Sequence, residues 1–540
     1  HLAVRVVGGH MMAMRHGASD MTTLLRGVRL HRLGQEGRLA RYSWHWHMAG
    51  PSPAARIDTV SVTDAQHRCA TIHGTRRAIV TRLVASGVKG HCVFLEDGAE
   101  TGNLIADSLV VGVRPPATGR AILDTDHEPA AYWIQHPSNS LLHSAAAGGT
   151  GHGVWVDLPS HPTGMSEDKE IRPRTAPAGV YAHTTAHGFA EVGFRSGTGV
   201  RVDDYAGPNE LRLADWDLWQ NEAFGAWLES TERTHLTASR VTGNRTGVQL
   251  HGGTVSATSI LGWSSNPVEP SWARIGVGAY HGGGLVQDVG FTSFVPDVEW
   301  RKTAAVANGT HSHQTPVRVR DVRQVDVPTS LRLSPGVEED RVNWLQVVDL
   351  DGSLTGRAGT YVSQRPISDA SCGSAGGGIT GSRCAATDGR TAGVFLHDMD
   401  ADTTLGPASI TDGHGRSAPA MTRDDDGKVE WVAPHGSTLR VDLGRTTPTH
   451  LEVIQFGRDA VTTTTSVAWP HGALYAYRGW GEWADPIAVR SSGSPGDDHV
   501  VRSGGRVSLR TAGEPDAEGY WDRWLLCAEE HCGDGTGSRR

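Results

Sequence analysis

The chain has 540 residues, a formal net charge of −9, and 68 glycines and 26 prolines spread along its whole length. This many turn residues, with few runs of helical period, predict an all-β protein built from many short strands. The net negative charge and the lack of a basic stripe exclude nucleic acid as the expected partner. The sequence has no apolar run of about 18 residues, so no membrane segment is predicted.

The first predicted strand with candidate functional residues is RYSWHWHMAG, at 41–50. Alternate residues of a strand face opposite sides, so the aromatic and methionine side chains share one face while His45 and His47 share the other. With the apolar face turned inward, both imidazoles project outward and lie close enough to hold one anionic group or one divalent metal ion. A structural hydrogen-bonding pair of histidines is the alternative interpretation.

Five later segments repeat one pattern, in which two apolar residues flank a variable one and a polar residue follows. They are ATIHGT (70–75), VFLEDG (93–98), VWVDLP (154–159), AWLEST (226–231) and VQLHGG (248–253). Successive copies start 23, 61, 72 and 22 residues apart, which is consistent with coils of one length separated by longer excursions. A period of this size predicts a solenoid whose coils stack as a parallel β-helix.

The repeat also predicts which side chains face outward. The apolar pairs would point into the core, which leaves two neighbouring outer columns of side chains. One column contains Thr71, Phe94, Trp155, Trp227 and Gln249, and the next contains His73, Glu96, Asp157, Glu229 and His251. Rungs of a parallel sheet lie about 4.8 Å apart, so these columns would form a groove floor that binds a polysaccharide. The predicted substrate-binding residues are Phe94, Trp155, Trp227, Glu229 and His251. The alternative is that loops cover the aromatic rings.

The segment GHCVFLEDGAETGN, at 90–103, provides the candidate acid–base residues. Glycoside cleavage needs two carboxyl groups in different protonation states, and we expect Glu96 to be the acid, with Asp97 or Asp157 as its partner. Asp97 could instead cap the following turn. A polysaccharide lyase would use His73 or His91 as the base, and the sequence leaves this open.

The six cysteines fall into three close pairs, which are Cys69 with Cys92, Cys372 with Cys384, and Cys527 with Cys532. Three disulfides would indicate an oxidising compartment and a secreted or extracellular location, whereas six reduced thiols are the alternative. The repeat places Cys69 and Cys92 on adjacent rungs, at a separation that suits a disulfide.

The predicted organisation has three parts. Residues 1–410 form the β-helix, with a long excursion at 159–210, and the polar stretch 411–428 is the linker. Alternating patterns beyond it predict a small C-terminal β-sandwich at 429–540.

Several segments resemble the family of the cell migration-inducing and hyaluronan-binding protein (CEMIP) and the fibrocystin-like proteins. They are GQEGRLARYSWHWHMAG, HRCATIHGT, GHCVFLEDGAETGN, YWIQHPSN, DLDGSLTGRAGTYV, EWVAPHGSTLRVDLG and WLLCAEEHC. The resemblance implies a right-handed parallel β-helix, followed by a smaller C-terminal β domain, that binds or depolymerises hyaluronan. It also implies that six residues occupy positions typical of the family, namely His45, His47, His73, His91, Glu96 and Asp97. The family's N-terminal glycine-rich domain is absent from this sequence, and Trp-His-Trp-His replaces its more usual Pro-Ile-His-Phe-His pattern.

The sequence therefore supports three hypotheses. The first is a hyaluronidase-like glycoside hydrolase, the second a non-catalytic glycan-binding module, and the third a polysaccharide lyase. A divalent metal ion is the only cofactor that the residues suggest. Oligomeric state, polymer identity and metal identity stay open.

Overall fold

A computed structural model describes most of the first half of the chain and shorter segments beyond it. The described residues are 8–15, 21–193, 196–231, 233–262, 274–279, 284–294, 304–308, 317–332, 347–363, 373–374, 379, 382–385, 391–400, 403–404, 409–411, 417–419, 430–434, 436, 438–443, 446–456, 462–479, 485–496, 498–512 and 521–529. They group into two compact units, namely His1–Gly278, Leu285–Val306 and Val322–Pro328 in the first, and Ala279–Gly284, Ala307–Asp321 and Thr329–Arg540 in the second.

The described structure consists almost entirely of strands, as predicted. Up to residue 261 they are β1 Met11–Met14, β2 Thr23–Arg26, β3 Arg29–His31, β4 Trp44–Pro51, β5 Ala55–Thr63, β6 Ala70–Arg76, β7 Ile79–Lys89, β8 Val93–Leu95, β9 Leu104–Ala106, β10 Leu109–Arg114, β11 Ala130–Ile134, β12 Ser140–Leu142, β13 Ala145–Thr150, β14 His152–Asp157, β15 Tyr181–Ala182, β16 Thr185–Ala190, β17 Thr198–Asp203, β18 Leu211–Ala214, β19 Asp217–Trp219, β20 Phe224–Glu229, β21 Thr234–Thr237, β22 Arg240–Thr242, β23 Thr246–Leu250 and β24 Thr254–Leu261.

The later strands are shorter on average. They are β25 Ile275–Ala279, β26 Gly284–Thr292, β27 Ala304–Asn308, β28 Val317–Arg320, β29 Arg323–Val325, β30 Leu331–Arg332, β31 Val347–Asp349, β32 Thr360–Ser363, β33 Gly373–Ser374, β34 Ser382–Ala385, β35 Thr391–Asp398, β36 Thr403–Thr404, β37 Ser409–Thr411, β38 Ser417–Pro419, β39 Glu430–Pro434, β40 Thr438–Asp442, β41 His450–Phe456, β42 Thr462–Ala468, β43 Tyr475–Arg478, β44 Asp485–Arg490, β45 His499–Ser503, β46 Arg506–Ala512 and β47 Trp521–Cys527. Three short 3₁₀ turns lie at Asp124–His127, Gly164–Ser166 and Pro173–Thr175. No helix in these segments is long and apolar enough to span a membrane.

The first unit is a right-handed parallel β-helix, which confirms the predicted fold. One ladder of parallel strands runs β1-β4-β6-β8-β11-β14-β17-β20-β23-β25, so that successive coils add one strand each. Between these strands the chain returns through a second set of parallel ladders, for example β9-β12-β15-β18-β21 and β10-β13-β16-β19-β22. In the following text, the ladder that contains β4, β6 and β8 is called the front sheet.

Alternation along the front sheet fills the core as the repeat predicts. The inward residues of successive rungs, for example Ile72, Leu95, Val156, Leu228 and Leu250, are all fully buried. Their apolar burial is the main stabilising contribution of each coil. Turns between strands are closed by buried asparagines, since the Asn103 amide donates to Asn139 Oδ1 at 2.9 Å and the Asn139 amide donates to the Glu100 carbonyl at 2.7 Å.

The long excursion is shorter in the structure than predicted. After β14 the chain leaves the coil at Leu158, and it rejoins the β-helix at β15, residue 181. Strands β15, β16 and β17 pair in parallel with β12, β13 and β14, so residues 181–193 and 196–203 belong to a regular coil within the stretch that was expected to be irregular. The prolines at 159, 162, 173 and 177 all lie in the shorter excursion that precedes this coil.

One predicted disulfide lies entirely within the described residues. Cys69 and Cys92 are bonded, with their Cα atoms 4.6 Å apart, and each residue directly precedes the start of a front-sheet strand or lies next to it. Cys527 is also disulfide-bonded. Cys372 and Cys532 lie outside the described residues, so those two pairings stay predictions.

The second unit contains mainly antiparallel strands that pack as a β-sandwich, in which β40 and β42 pair in parallel. Strands β35, β39, β41, β43 and β47 pair on one side, and β37, β40, β42, β45 and β46 pair on the other. Apolar side chains from both sets form one buried cluster, including Leu396, Val453, Trp524, Val441 and Leu509. Strand β35 already pairs with β41, so the described pairings of this region begin at residue 391, upstream of the predicted start at 429.

Candidate functional site

Three successive front-sheet strands place a cluster of ionisable side chains on the outside of the β-helix. In the β4–β6 register, His45 lies opposite Thr71 and His47 lies opposite His73. Ile72 lies opposite Leu95, and the ladder continues by one residue because the Glu96 amide donates to the Ile72 carbonyl at 3.1 Å. Parallel pairing in register therefore brings the two histidines of the HxH segment beside His73 and Glu96.

The three imidazoles converge on one small volume. One ring nitrogen from each of His45, His47 and His73 lies within 4.8 Å of the other two, and His47 Nδ1 is 3.1 Å from His73 Nδ1. His45 is fully buried and His47 is half-buried. Three imidazoles at this spacing match the ligands of one transition-metal ion.

Glu96 faces the same volume from the next rung. Its Oε1 accepts a hydrogen bond from the Tyr42 hydroxyl at 2.9 Å, while its Oε2 lies 3.7 Å from His45 Nε2 and 3.6 Å from His73 Nδ1. Burial raises the pKa of the Glu96 carboxyl, and the nearby His73 and Tyr42 reverse only part of this effect. Tyr42 was not predicted as a site residue, although it belongs to the same RYSWHWH segment.

The Asp97 and Glu100 carboxylates have different roles beside this cluster. Asp97 Oδ2 is 2.7 Å from His73 Nε2, so this carboxylate orients the imidazole. Glu100 accepts hydrogen bonds from the backbone N–H groups of Gly74 at 2.7 Å and Gly98 at 2.9 Å, so the residue that caps this turn is Glu100. Burial raises the pKa of Glu100 to about 7.

The pKa values of the histidines diverge because their surroundings differ. Burial lowers the pKa of His45 to about 3, with a further contribution from the neighbouring His73 and His47. Burial also lowers the pKa of His47. Burial acts in the same direction on His73, but the hydrogen bond to Asp97 and the charge of Glu96 outweigh it, and the pKa of His73 is raised. His73 is therefore the imidazole that most readily carries a proton.

The excursion after β14 forms one wall of the cluster. The Thr163 amide donates to the Asp97 carbonyl at 2.9 Å, and the Ser166 hydroxyl lies 3.8 Å from Met48 Sδ. Gly164 has a φ of +59° and approaches the Asp97 carboxylate so closely that a Cβ there would lie 2.9 Å from Oδ1. A side chain at 164 would therefore displace Asp97, and with it the partner of His73.

His91 lies outside this cluster. It is fully buried, its Nδ1 accepts the Ala130 N–H at 2.9 Å, and its ring stacks on Phe94 and lies against Trp133. Its ionic neighbours are Asp126, at 3.8 Å, and Arg68, which forms an ion pair with that aspartate. The structure places His91 in a buried network against the outward-facing rings of Phe94 and Trp133 rather than beside Glu96.

Asp157, Glu229 and His251 belong to a second group further along the front sheet. Asp157 lies opposite Asp203, which lies opposite Glu229, and His251 Nδ1 is 3.1 Å from Glu229 Oε1. Burial, followed by the charge of Asp203, raises the pKa of Asp157 to about 6. Extending the β8–β11–β14 register places Asp157 two rungs beyond Glu96 in the same column.

The aromatic column is present but covered. Trp133 and Arg201 occupy the two rungs that the repeat did not include, and they complete the series with Phe94, Trp155 and Trp227. The last three rings are 1%, 6% and 1% exposed, so the open aromatic floor expected from the sequence is not found. Arg201 lies 4.4 Å over the Trp155 ring, and the Trp155 indole donates to Asp203 at 2.7 Å, which accounts for part of this burial.

Comparison with known proteins agrees with this architecture. Residues 6–194 match the family model of the CEMIP β-helix. The predicted resemblance is confirmed for this segment. His45, His47, His73, Glu96 and Asp97 all lie inside the CEMIP β-helix match, as does the wall of the excursion beside them.

The relatives are much longer proteins. Human fibrocystin-L is 35% identical over 172 residues, which cover 32% of this chain and 4% of that protein. The human cell surface hyaluronidase CEMIP2 is 28% identical over 244 residues, covering 38% of this chain and 17% of that protein. The chain thus spans a small part of both. Among solved structures, the A-module of the Azotobacter vinelandii mannuronan C-5 epimerase AlgE4 aligns with a TM-score of 0.31 and 12% identity, over 59% of this chain and 90% of that one.

Proposed function

We propose that this protein cleaves an extracellular polysaccharide at the cluster formed by His45, His47, His73 and Glu96, and that hyaluronan is the substrate to test first. The observation that carries the proposal is the Glu96 carboxylate, which is held by Tyr42 through one oxygen while the other faces the imidazoles without a hydrogen bond. A carboxylate kept in this way has a free lone pair for proton transfer. The similarity to a protein named as a hyaluronidase supports the choice of polymer.

Two carboxyl groups are available in the column that runs along the front sheet. Asp157, whose pKa is about 6, would be partly protonated under mildly acidic conditions and would donate a proton to the glycosidic oxygen. Glu96, with two imidazoles beside its free oxygen, would take a proton from water on the opposite face of the sugar. These roles reverse the expectation that Glu96 is the acid, because the pKa of Asp157 is raised to about 6 and suits a proton donor.

The Cα spacing of these groups is much wider than the carboxyl separation of retaining glycosidases, so we propose inversion at the anomeric carbon. Two rungs of a parallel sheet separate the Cα atoms by roughly 9.6 Å, from about 4.8 Å per rung. Inverting glycosidases hold their carboxyl groups roughly 6.5–9.5 Å apart to leave room for a water molecule, whereas retaining enzymes need about 5–5.5 Å.

Asp97 acts through His73 and is therefore a positioning residue.

The test is the size distribution of long hyaluronan, with chondroitin in parallel, after incubation with the protein at pH 5 and pH 7. We expect shortening by the unmodified chain and a loss of roughly 10²–10⁴-fold in rate for Glu96→Gln. The matched control is Glu210→Gln, which changes an exposed glutamate that pairs with His235 on another face, and this variant should cleave normally.

The other outcomes would replace the proposal. Polymer that stays intact but co-elutes with both the unmodified chain and Glu96→Gln would identify a glycan-binding module. Shortened products that absorb in the ultraviolet would identify a lyase, since only elimination leaves an unsaturated uronate. If the protein neither binds nor shortens either polymer, hyaluronan-type substrates are ruled out.

A further inference from the structure

The histidine cluster contains buried polar atoms that have nothing to bond to. His45 Nε2 and Glu96 Oε2 have no hydrogen-bond partner among the described residues, although His45 is 0% exposed. They face each other at 3.7 Å, which is too far for a hydrogen bond. Leaving polar atoms in this state costs free energy, and native proteins rarely do so without a ligand or an ion.

We infer that His45, His47 and His73 bind one divalent transition-metal ion, with Glu96 beside its fourth position. Bonds of about 2.0–2.1 Å in tetrahedral geometry place ligand nitrogens roughly 3.3 Å apart. His47 Nδ1 and His73 Nδ1 are already 3.1 Å apart, and the full set of three nitrogens spans no more than 4.8 Å. Small rotations of the His45 ring would complete the geometry.

The second ring nitrogens are held in the way that metal sites require. His73 would bind the ion through Nδ1, because its Nε2 is 2.7 Å from Asp97 Oδ2. His45 would bind through Nε2, because its Nδ1 faces the Ala40 carbonyl at 3.4 Å. A carboxylate behind a ligating histidine fixes the ring and increases its basicity, so Asp97 would tune the affinity without touching the ion.

The donor set selects the class of metal. Imidazole nitrogens suit Zn²⁺ and neighbouring transition metals, whereas Ca²⁺ and Mg²⁺ prefer oxygen ligands. Three protein nitrogens leave one position for water, which is the arrangement found in catalytic rather than structural zinc sites. Glu96 Oε2, at 3.6 Å from His73 Nδ1, is placed to accept a hydrogen bond from that water.

Metal binding is independent of the proposed glycan cleavage and can be measured without any glycan. After treatment with a chelator, the full chain would be titrated with Zn²⁺ in competition with a chromogenic chelator, and with Ca²⁺ in parallel. We expect one tight Zn²⁺ per chain and no competition from Ca²⁺. His47→Gln should weaken the tight site at least about 10-fold, and Asp97→Asn should weaken it roughly 10–100-fold.

The matched control is His183→Ala, because this exposed histidine pairs with Asp215 on another face of the β-helix. It should leave Zn²⁺ affinity unchanged, which separates the cluster from adventitious binding by surface histidines. X-ray absorption of the unmodified Zn²⁺-bound chain needs no variant and should show about three imidazole scatterers at roughly 2.0–2.1 Å. Equal Zn²⁺ affinity in His47→Gln, equal binding of Ca²⁺, or a shell without imidazole would overturn the inference.

Discussion

The disulfide between Cys69 and Cys92 holds together the two rungs that carry His73 and Glu96, and its removal gives a quantitative test of the site's rigidity. Cys69 immediately precedes β6, and Cys92 immediately precedes β8. The backbone already joins them, since the Cys69 amide donates to the Cys92 carbonyl at 2.9 Å. The double variant Cys69→Ala/Cys92→Ala should therefore keep the coil but make local opening easier.

The magnitude follows from the length of the loop that the disulfide closes. The two cysteines are 23 residues apart in sequence. For a loop of this length, the loss of chain entropy in the open state corresponds to about 3.4 kcal/mol at 25 °C. At about 1.36 kcal/mol per factor of ten, opening of this part of the β-helix should become roughly 300-fold more frequent.

Native-state hydrogen exchange followed by mass spectrometry measures this change locally. Peptides that contain β6 and β8 should lose about 300-fold in protection, while a peptide that contains β23 serves as the internal reference and should change little. The reasoning fails if protection in β6 and β8 falls by less than about 3-fold, or if all peptides change equally. The second result would mean that the β-helix opens only as a whole.

Two further predictions concern buried carboxylates. Burial raises the pKa of Asp126, but Arg68 lowers it more, so the net pKa lies well below its ordinary value and the ion pair stabilises the fold above about pH 4. Asp126→Asn should lower the free energy of unfolding in urea by roughly 3–5 kcal/mol at pH 7. This difference between the variant and the unmodified chain should shrink at low pH, and a constant difference would contradict the reasoning. The pKa of Asp157 is raised to about 6, so ionising this carboxyl lowers the stability of the fold as the pH rises from about 4 through 6. Asp157→Asn should therefore increase the free energy of unfolding by up to roughly 3 kcal/mol at pH 7.5 and by little at pH 4. Asp215→Asn, at an exposed aspartate, is the control, and a less stable Asp157→Asn variant at pH 7.5 would refute the assignment.

The candidate site was predictable from the sequence only in part. The two outward histidines at 45 and 47 follow from strand alternation, which is a local property of the backbone. That His73 and Glu96 join them depends on the register of β4, β6 and β8, and the repeat gave that register correctly because each coil is nearly the same length there. The separation of Asp97 from Glu100 into different roles required atomic distances.

Other assignments needed the tertiary structure because they depend on what covers a surface. The sequence placed Phe94, Trp155 and Trp227 in one outer column, but outward orientation does not determine exposure, and the structure buries all three. It also could not show that Trp133 and Arg201 fill the missing rungs, because the insertions between those coils hide the repeat period. His91 illustrates the same limit, since its neighbours Arg68 and Asp126 come from distant parts of the chain.

The sequence by itself determined the class of fold, the front-sheet rungs and the identity of the HxH pair, since alternation and coil length are encoded in residues close to one another. Only the tertiary structure decided which carboxylate faces the imidazoles, which one supports them from behind and which one caps a turn. These roles depend on separations of a few ångströms between side chains on different coils, and spacing along the chain does not specify such distances.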